Sequence, residues 1–287
     1  LIKILNKRYK IKIIDTRKQI TRNKNYIKKF DNKKIEFLPC DILNKKKLDK
    51  VFKKVKIVIH LAAMLGVQNT ERRKDLCWKI NAIGTYNIVN SCIKHKVKKL
   101  IFTSSSEVYG EQLSKKKISE NSPILGKNIY AQSKISAENY IKLKLNKKRT
   151  KYTILRLFNT YGENQVVQFF ISKLCYSAVK KKFMIINGSG DQIRSYAYSD
   201  DIAQGIKSCI INEITNGKIY NLGNSKEIFS LKQVVEEVSK LSTNKLKIKY
   251  TRKFLKSDRT YKREIFRRVC ENSKAKKEIN FTPKTTL

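Results

Sequence analysis

Several things are scarce in this chain of 287 residues: three prolines, ten glycines, two histidines, one tryptophan, and 23 acidic residues against 65 basic ones. So little proline and glycine excludes long flexible linkers and collagen-like architectures. The two histidines, His60 and His95, and six scattered cysteines (Cys40, Cys77, Cys92, Cys175, Cys209, Cys270) offer no C-x-x-C pair. That excludes a zinc site of ordinary spacing and a disulfide framework, and reads as free thiols in a reducing cytoplasm. No run approaches the roughly 20 apolar residues of a membrane span. Lysine alternates with isoleucine at the start, where a secretory signal would hold an apolar block. What is present, 40% hydrophobic residues, suffices for one large domain or two smaller ones.

The shortage of acid leaves a formal net charge of +42. Such a charge points first toward nucleic acid. The basic residues, however, recur along the whole chain, as at Lys45 to Lys47, Lys115 to Lys117 and Lys180 to Lys182. Lysine, asparagine and isoleucine are abundant together, as AT-rich coding sequence produces. The reading is a solvated lysine-rich surface that still favours encounter with a dianionic nucleotide.

Up to about residue 160, apolar runs alternate with amphipathic segments, the pattern of a parallel sheet with crossover helices. Strands are expected at 11–15, ending in Asp15, at 35–38 before Pro39-Cys40-Asp41, at 57–61, at 100–103 and at 152–157. Helices are expected at 45–54, 80–96, 130–145 and 228–241, the last with Ser230 as a plausible N-cap and Leu231, Val234, Val235 and Val238 on one face. The run Thr103 to Gly110 falls just beyond a buried strand, where an open α/β sheet places its ligands.

The chemistry concentrates at Tyr130-Ala-Gln-Ser-Lys134. A tyrosine and a lysine four apart on a helix share one face. A cation beside a phenol favours the phenolate, so Tyr130 is expected to act as a base below its ordinary pKa of roughly 10. A serine hydroxyl 25 residues upstream, at a strand end, completes a site able to take a proton from an alcohol.

These residues stand in order with His60-Leu61-Ala62-Ala63, Asn81-Ala82-Ile83-Gly84-Thr85, Ser104-Ser105-Ser106-Glu107-Val108-Tyr109-Gly110, Arg156-Leu157-Phe158-Asn159-Thr160-Tyr161-Gly162 and Arg194-Ser195-Tyr196-Ala197-Tyr198-Ser199-Asp200-Asp201. Taken together, the set resembles an extended short-chain dehydrogenase/reductase of the NAD-dependent nucleotide-sugar epimerase/dehydratase type. The resemblance implies a Rossmann-type doubly wound parallel sheet over 1–160 and about 196–222, with a smaller C-terminal α/β substrate-binding domain over 161–195 and 223–287.

It further implies that Tyr130 is the base, that Lys134 lowers its pKa and binds the nicotinamide ribose, and that Ser105 hydrogen-bonds the reacting hydroxyl, with Ser104 and Ser106 as the alternatives. Along the cofactor it places Asp15 on the adenosine ribose, Asp41 on the adenine, and Leu61, Ala62, Ala63 and Asn81. A carboxylate at Asp15 favours NAD over NADP, although Arg17 nearby could receive a 2′-phosphate. For the substrate, a nucleotide-diphosphate sugar, it implies Asn159 and the diphosphate arginines Arg194 and Arg259, with Arg263 as the rival of Arg259. A homodimer through the helices at 80–96 and 130–145 is the assembly it implies.

The chain departs from that family in lacking the glycine-rich G-x-x-G-x-x-G turn and the strand before it, so the expectation is a fragment whose sheet lacks a central strand and which binds NAD poorly. The reaction expected is 4-epimerisation through a transient 4-keto sugar. Glu107 discriminates: dehydratases of the family carry Asp-Glu after the catalytic hydroxyl, and here the first position is Ser106. Decarboxylation of a nucleotide uronic acid, or 4,6-dehydration, is the alternative. From another class, a member impaired in catalysis that binds RNA or a protein partner would suit the charge and the missing loop.

Overall fold

The computed structural model describes residues 1–19, 34–251 and 264–287. In chain order its strands are β1 (Ile11–Asp15), β2 (Ile35–Pro39), β3 (Ile57–His60), β4 (Lys99–Ser105), β5 (Lys151–Leu157), β6 (Asn159–Tyr161), β7 (Phe183–Asn187), β8 (Ile193–Tyr198), β9 (Lys218–Leu222), β10 (Ile228–Ser230), β11 (Lys247–Thr251) and β12 (Arg267–Arg268). The α-helices are α1 (Ile2–Leu5), α2 (Lys45–Val51), α3 (Val67–Arg72), α4 (Lys74–Trp78), α5 (Gly84–Lys94), α6 (Ile129–Leu145), α7 (Phe170–Val179), α8 (Ser199–Ile211), α9 (Leu231–Leu241) and α10 (Ser273–Ile279).

The main sheet is parallel, in the order β3-β4-β5-β9. Its centre is β4, where Leu100, Ile101 and Phe102 are all fully buried. Side chains of a strand alternate between faces. Leu100 and Phe102 accordingly join one core with Ile88, Cys92, Ala137 and Ile141 of α5 and α6, while Ile101 joins another with Ile202 and Ile206 of α8 and Ile279 of α10. A sheet covered on both faces in this way is the α/β layering expected from the sequence.

β1 and β2 pair in parallel as a separate two-stranded sheet. Ile14 of β1 and Val58 of β3 pack against the same core, yet among the described residues no strand lies between β1 and β3. The residues of β3 before His60 are only partly buried, unlike those of β4.

Beyond Phe158 the strands are shorter. β8 is flanked by β10 and β12 and also pairs with β6, whereas β7 pairs with β11. Tyr196 to Tyr198 therefore belong to that sheet, and the return to the main sheet is made by α8 and β9. The expected helix at 228–241 is shorter than its periodicity predicts. Ile228 to Ser230 pair with β8, and the helix starts at Leu231, where Ser230 and Gln233 cap it reciprocally.

Candidate active site

Four side chains along α6 and at its cap reach the C-terminal end of β4 and the turn after it in succession. Asn128 caps α6, its Oδ1 accepting from Ala131 N at 2.8 Å. Its Nδ2 donates to Glu107 Oε2 at 3.1 Å. The phenol of Tyr130 faces the Ser105 hydroxyl, which acts to lower its pKa. One turn on, Lys134 Nζ donates to Thr103 O at 2.9 Å. A further turn on, Glu138 Oε1 accepts from Ser104 Oγ at 2.5 Å. The i, i+4, i+8 spacing of Tyr130, Lys134 and Glu138 puts all three on the face that meets the strand. This polar stripe is buried: Lys134 and Glu138 are each 2% exposed.

The stripe is anchored from below. Arg156 of β5 grips Glu138 with two parallel bonds, Nε to Oε1 at 3.0 Å and Nη2 to Oε2 at 2.7 Å. Its Nη1 reaches the Tyr109 hydroxyl, which donates to Asn221 Oδ1 at 2.7 Å. A bidentate pair with its remaining donors satisfied is the arrangement that lets two charges sit in a protein interior.

The electrostatics of Tyr130 differ from the sequence expectation. Burial pushes the phenol above its ordinary range; the Ser105 hydrogen bond pulls it down, Glu107 and Cys77 push it up and Arg268 pulls it down. Lys134 is not what sets it. Its ammonium lies 6.0 Å from the centre of the Tyr130 ring, bound to the Thr103 carbonyl and over the Phe102 ring. Burial also lowers Lys134 itself, to about 8, against the raising effect of Glu138. A chain folded without ligand thus holds a protonated phenol, and a four-residue spacing alone does not make a phenolate.

The residue that sequence reasoning missed is Arg268. Its Nη1 donates to Glu107 Oε1 at 2.5 Å and its Nη2 to Asn159 Oδ1 at 3.0 Å. Glu107, expected as a discriminating residue, is thereby fixed between Arg268 and Asn128 and is 8% exposed. Asn159 is drawn to the same guanidinium. Arg268 Nε and the hydroxyl of Tyr196 are buried without a hydrogen-bond partner, and both arginines Arg194 and Arg268 act on Tyr196. In sequence Arg268 is the second half of one more basic doublet, so its only signal was position within the segment before α10.

The other expected site residues divide. Arg194 on β8 is buried, with Nη2 on Glu264 Oε1 at 3.0 Å and Nη1 on the Ile193 carbonyl at 2.9 Å. Arg259, with its rival Arg263, lies outside the described residues. Asn81, in a π-helical turn over Lys79–Ile83, spends its side chain on protein: Oδ1 accepts from Met64 N at 2.7 Å, and Nδ2 reaches Met64 O and Ser133 Oγ. It braces the loop after β3. Asp41 is exposed, and its carboxylate accepts from Leu43 N at 2.9 Å, a loop-capping bond. Asp15 ends β1 and accepts from Thr16 N at 2.7 Å. Leu61 is 49% exposed and Ala62 and Ala63 half-buried, leaving an apolar floor beyond β3.

The fit of a nicotinamide dinucleotide rests on Lys134. A fully buried ammonium carries three protons, one of which Lys134 gives to the Thr103 carbonyl; a ribose diol beside it would supply further acceptors. The exposed Leu61 and the alanines after it suit the flat face of a ring. The nicotinamide-ribose end therefore fits the residues present. Further out, a cavity of about 510 Å³ is lined by Phe170, Tyr176, Met184, Gln192 and Glu264 among others, and Gln192 Oε1 is buried there without a partner.

Comparison with known proteins shows the family and the fold. The profile of the NAD dependent epimerase/dehydratase family matches residues 3–223. A protein of Methanocaldococcus jannaschii described as "Putative UDP-glucose 4-epimerase" is 36% identical over 234 residues, 78% of this chain and 72% of that protein. The dTDP-D-glucose 4,6-dehydratase of Dictyostelium discoideum is 31% identical over 208 residues, 68% of this chain but 48% of its own length, so the chain spans about half of that relative. A UDP-N-acetyl-alpha-D-glucosaminuronate decarboxylase of Bacillus cytotoxicus is 30% identical over 225 residues, 75% of this chain and 68% of the relative. In fold, the chain superposes on a UDP-glucuronic acid 4-epimerase variant from Bacillus cereus with a TM-score of 0.88, at 24% identity, covering 99% of this chain and 90% of the other.

Proposed function

This chain belongs to the NAD-dependent epimerase/dehydratase family of enzymes, and from that premise we propose that it is a 4-epimerase of a nucleotide-diphosphate sugar. Tyr130 would take the proton from the sugar 4-hydroxyl as the phenolate that the positive charge of a bound nicotinamide would favour against burial. Ser105 hydrogen-bonds the same oxygen, and Lys134 with the floor of Leu61, Ala62 and Ala63 holds the nicotinamide ribose, with Asp15 toward the adenosine. A bound NAD supplies the acceptor, and later the donor, of the hydride at sugar C4. The proton returns from Tyr130 when the 4-keto sugar is reduced on its other face, so epimerisation asks for no second acid or base.

The observation that carries this reading is the state of Glu107. Elimination of water needs a carboxyl group free to move a proton beside the reacting carbons. Here the one carboxylate next to Ser105 is tied to Arg268 and Asn128, and its neighbour is Ser106, a buried hydroxyl. The outer part of the site supports a nucleotide: Arg194 lies beside Glu264, which lines the cavity, where Gln192 Oε1 awaits a donor. We read the strands after Phe158 that lie outside the main sheet as the half that grips the nucleotide, and the main sheet with β1 and β2 as the half that holds the cofactor.

One observation favours a second reading, decarboxylation of a nucleotide uronic acid. Arg268 has an unpartnered Nε beside the unpartnered Tyr196 hydroxyl, a pair of donors that suits a sugar carboxylate. Incubation with NAD and, in turn, UDP-glucose, UDP-glucuronate and dTDP-glucose, followed by NMR of the products, separates the possibilities. A 4-epimer is expected. A pentose with release of CO2 would establish the second reading, and a 4-keto-6-deoxy sugar would overturn both.

A further inference from the structure

In a parallel sheet every strand starts at the same edge, so the segments leading into β3, β4 and β5 come side by side. These segments, 53–56, 94–99 and 146–151, hold 16 residues, of which 11 are lysine or arginine and none is acidic. Ten of the 11 are exposed; Lys99 alone is buried, donating to Asn212 O and Thr215 Oγ1. The segments leaving the same three strands, 61–66, 103–110 and 158–163, hold 20 residues with no lysine or arginine and two glutamates. The sequence spreads its basic residues along the chain; the fold brings eleven of them to one edge of the sheet, the edge opposite Tyr130. Among the described residues the carboxylates near that edge include Asp49, already bound to Lys94 at 2.8 Å and to His95 at 2.7 Å, Glu213, Glu278, paired with Lys218 at 2.7 Å, and Glu36, opposite Lys12, whose ammonium reaches the Lys53 carbonyl. Most of the ten cations have no counter-ion among the described residues.

We propose that this edge docks the protein onto an anionic lipid surface, with the active site facing away from it. Three features select lipid among polyanions. First, the three segments contain no phenylalanine, tyrosine or tryptophan on which unpaired bases could stack. Second, nine of the ten exposed cations are lysines, point charges suited to a diffuse field; phosphate recognition on nucleic acid favours the arginine fork. Third, two exposed aliphatic side chains border the patch, Leu143 at 76% exposure in the last turn of α6 and Ile93 at 36% in the last turn of α5. A headgroup layer accepts such side chains at its acyl boundary, whereas a nucleic acid backbone has no use for them. Neighbouring strands lie about 4.8 Å apart, so the three loops form a compact array across roughly 10 Å rather than a track along a strand. Among the described residues no helix is long and apolar enough to cross a membrane, so attachment would be peripheral and sensitive to salt.

The test is cosedimentation with vesicles of phosphatidylcholine alone and of phosphatidylcholine with phosphatidylglycerol at about three to one. The full chain should bind the second and not the first. Replacing Lys147, Lys148 and Arg149 together by glutamine should weaken binding by about tenfold or more. A control that removes three exposed lysines elsewhere, Lys115→Gln, Lys116→Gln and Lys127→Gln, should stay within about twofold. A second patch variant on the neighbouring loop, Lys94→Gln, Lys96→Gln and Lys98→Gln, repeats the measurement should the first variant melt early. Equal loss in patch and control variants would overturn the proposal in favour of net charge alone, and unchanged binding in both patch variants would overturn it outright. Displacement of the protein from vesicles by RNA at equal phosphate concentration would assign the edge to nucleic acid instead.

Discussion

Arg268 and Glu107, 161 residues apart in sequence, meet in the interior with Nη1 2.5 Å from Oε1, each side chain no more than a tenth exposed. Through that contact the last described strand of the chain fixes the carboxylate two residues from Ser105. Breaking a buried pair by removing one partner leaves the other charge unpaired, at a cost of about 3–5 kcal/mol. Arg268→Met should therefore lower the urea midpoint markedly, and the double variant Arg268→Met with Glu107→Gln should recover much of the loss. Equal midpoints for the parent and the single variant would show that the pair carries no weight.

Tyr130→Phe removes the hydroxyl that faces Ser105 but leaves the ring in place. Turnover should fall by about 10²–10⁴-fold, the range for a positioned acid–base group. Thermal unfolding should shift only slightly, since one hydrogen bond contributes about 1 kcal/mol. Retention of more than a tenth of the activity would remove Tyr130 from the role of base.

Two buried groups give the pH dependence its sign. Lys134 titrates at about 8 in the folded chain against an ordinary 10.5. Between those values the unfolded chain binds more protons, so this group's contribution to stability rises with pH, by about 3 kcal/mol at most, and the raised phenol of Tyr130 begins to oppose it only above its ordinary value of about 10. Activity should do the reverse, falling above about pH 8 as the ammonium is lost. His60 is held neutral by burial, with a pKa of about 3 against 6.5. Its stabilising contribution is complete above pH 6.5 and is lost as the pH falls toward 3. Melting curves from pH 4 to 9.5, with NMR of the His60 ring, check both; a ring that titrates near 6.5 in the native protein would contradict the second.

Gly110 follows the 3-10 turn Ser106–Tyr109 with φ of +60°, and a Cβ there would collide with the Leu125 carbonyl oxygen. Gly110→Ala should destabilise by about 1–3 kcal/mol. Because the same turn carries Glu107, it should also depress turnover beyond the loss of folded protein, measured at a temperature where both variants are fully native.

How far the sequence reaches can be seen residue by residue. Tyr130, Lys134 and Ser105 were legible because helix spacing and a strand end are local facts, and the motif order set the fold class. Arg268 was not, because one arginine among 65 basic residues means nothing until the chain closes on itself. β7 and β11 were missed for a related reason. Lys247 to Thr251 alternate lysine with apolar residues and become a strand only against Phe183 to Asn187, some 60 residues away. The direction of the Tyr130 pKa failed for another cause: spacing tells which groups are neighbours, but burial, a property of the whole fold, decided the outcome.

The separation of β1 from β3 has a colloidal consequence. Each strand offers a row of main-chain donors and acceptors along an edge that no described strand covers, and such edges template association between copies. A net charge of +42 holds those copies apart. Added salt shortens the reach of that repulsion from about 10 Å at 0.1 M to about 3 Å at 1 M while leaving backbone hydrogen bonding intact. Salt should therefore govern shelf life, with turbidity growing faster than linearly in protein concentration as ionic strength rises.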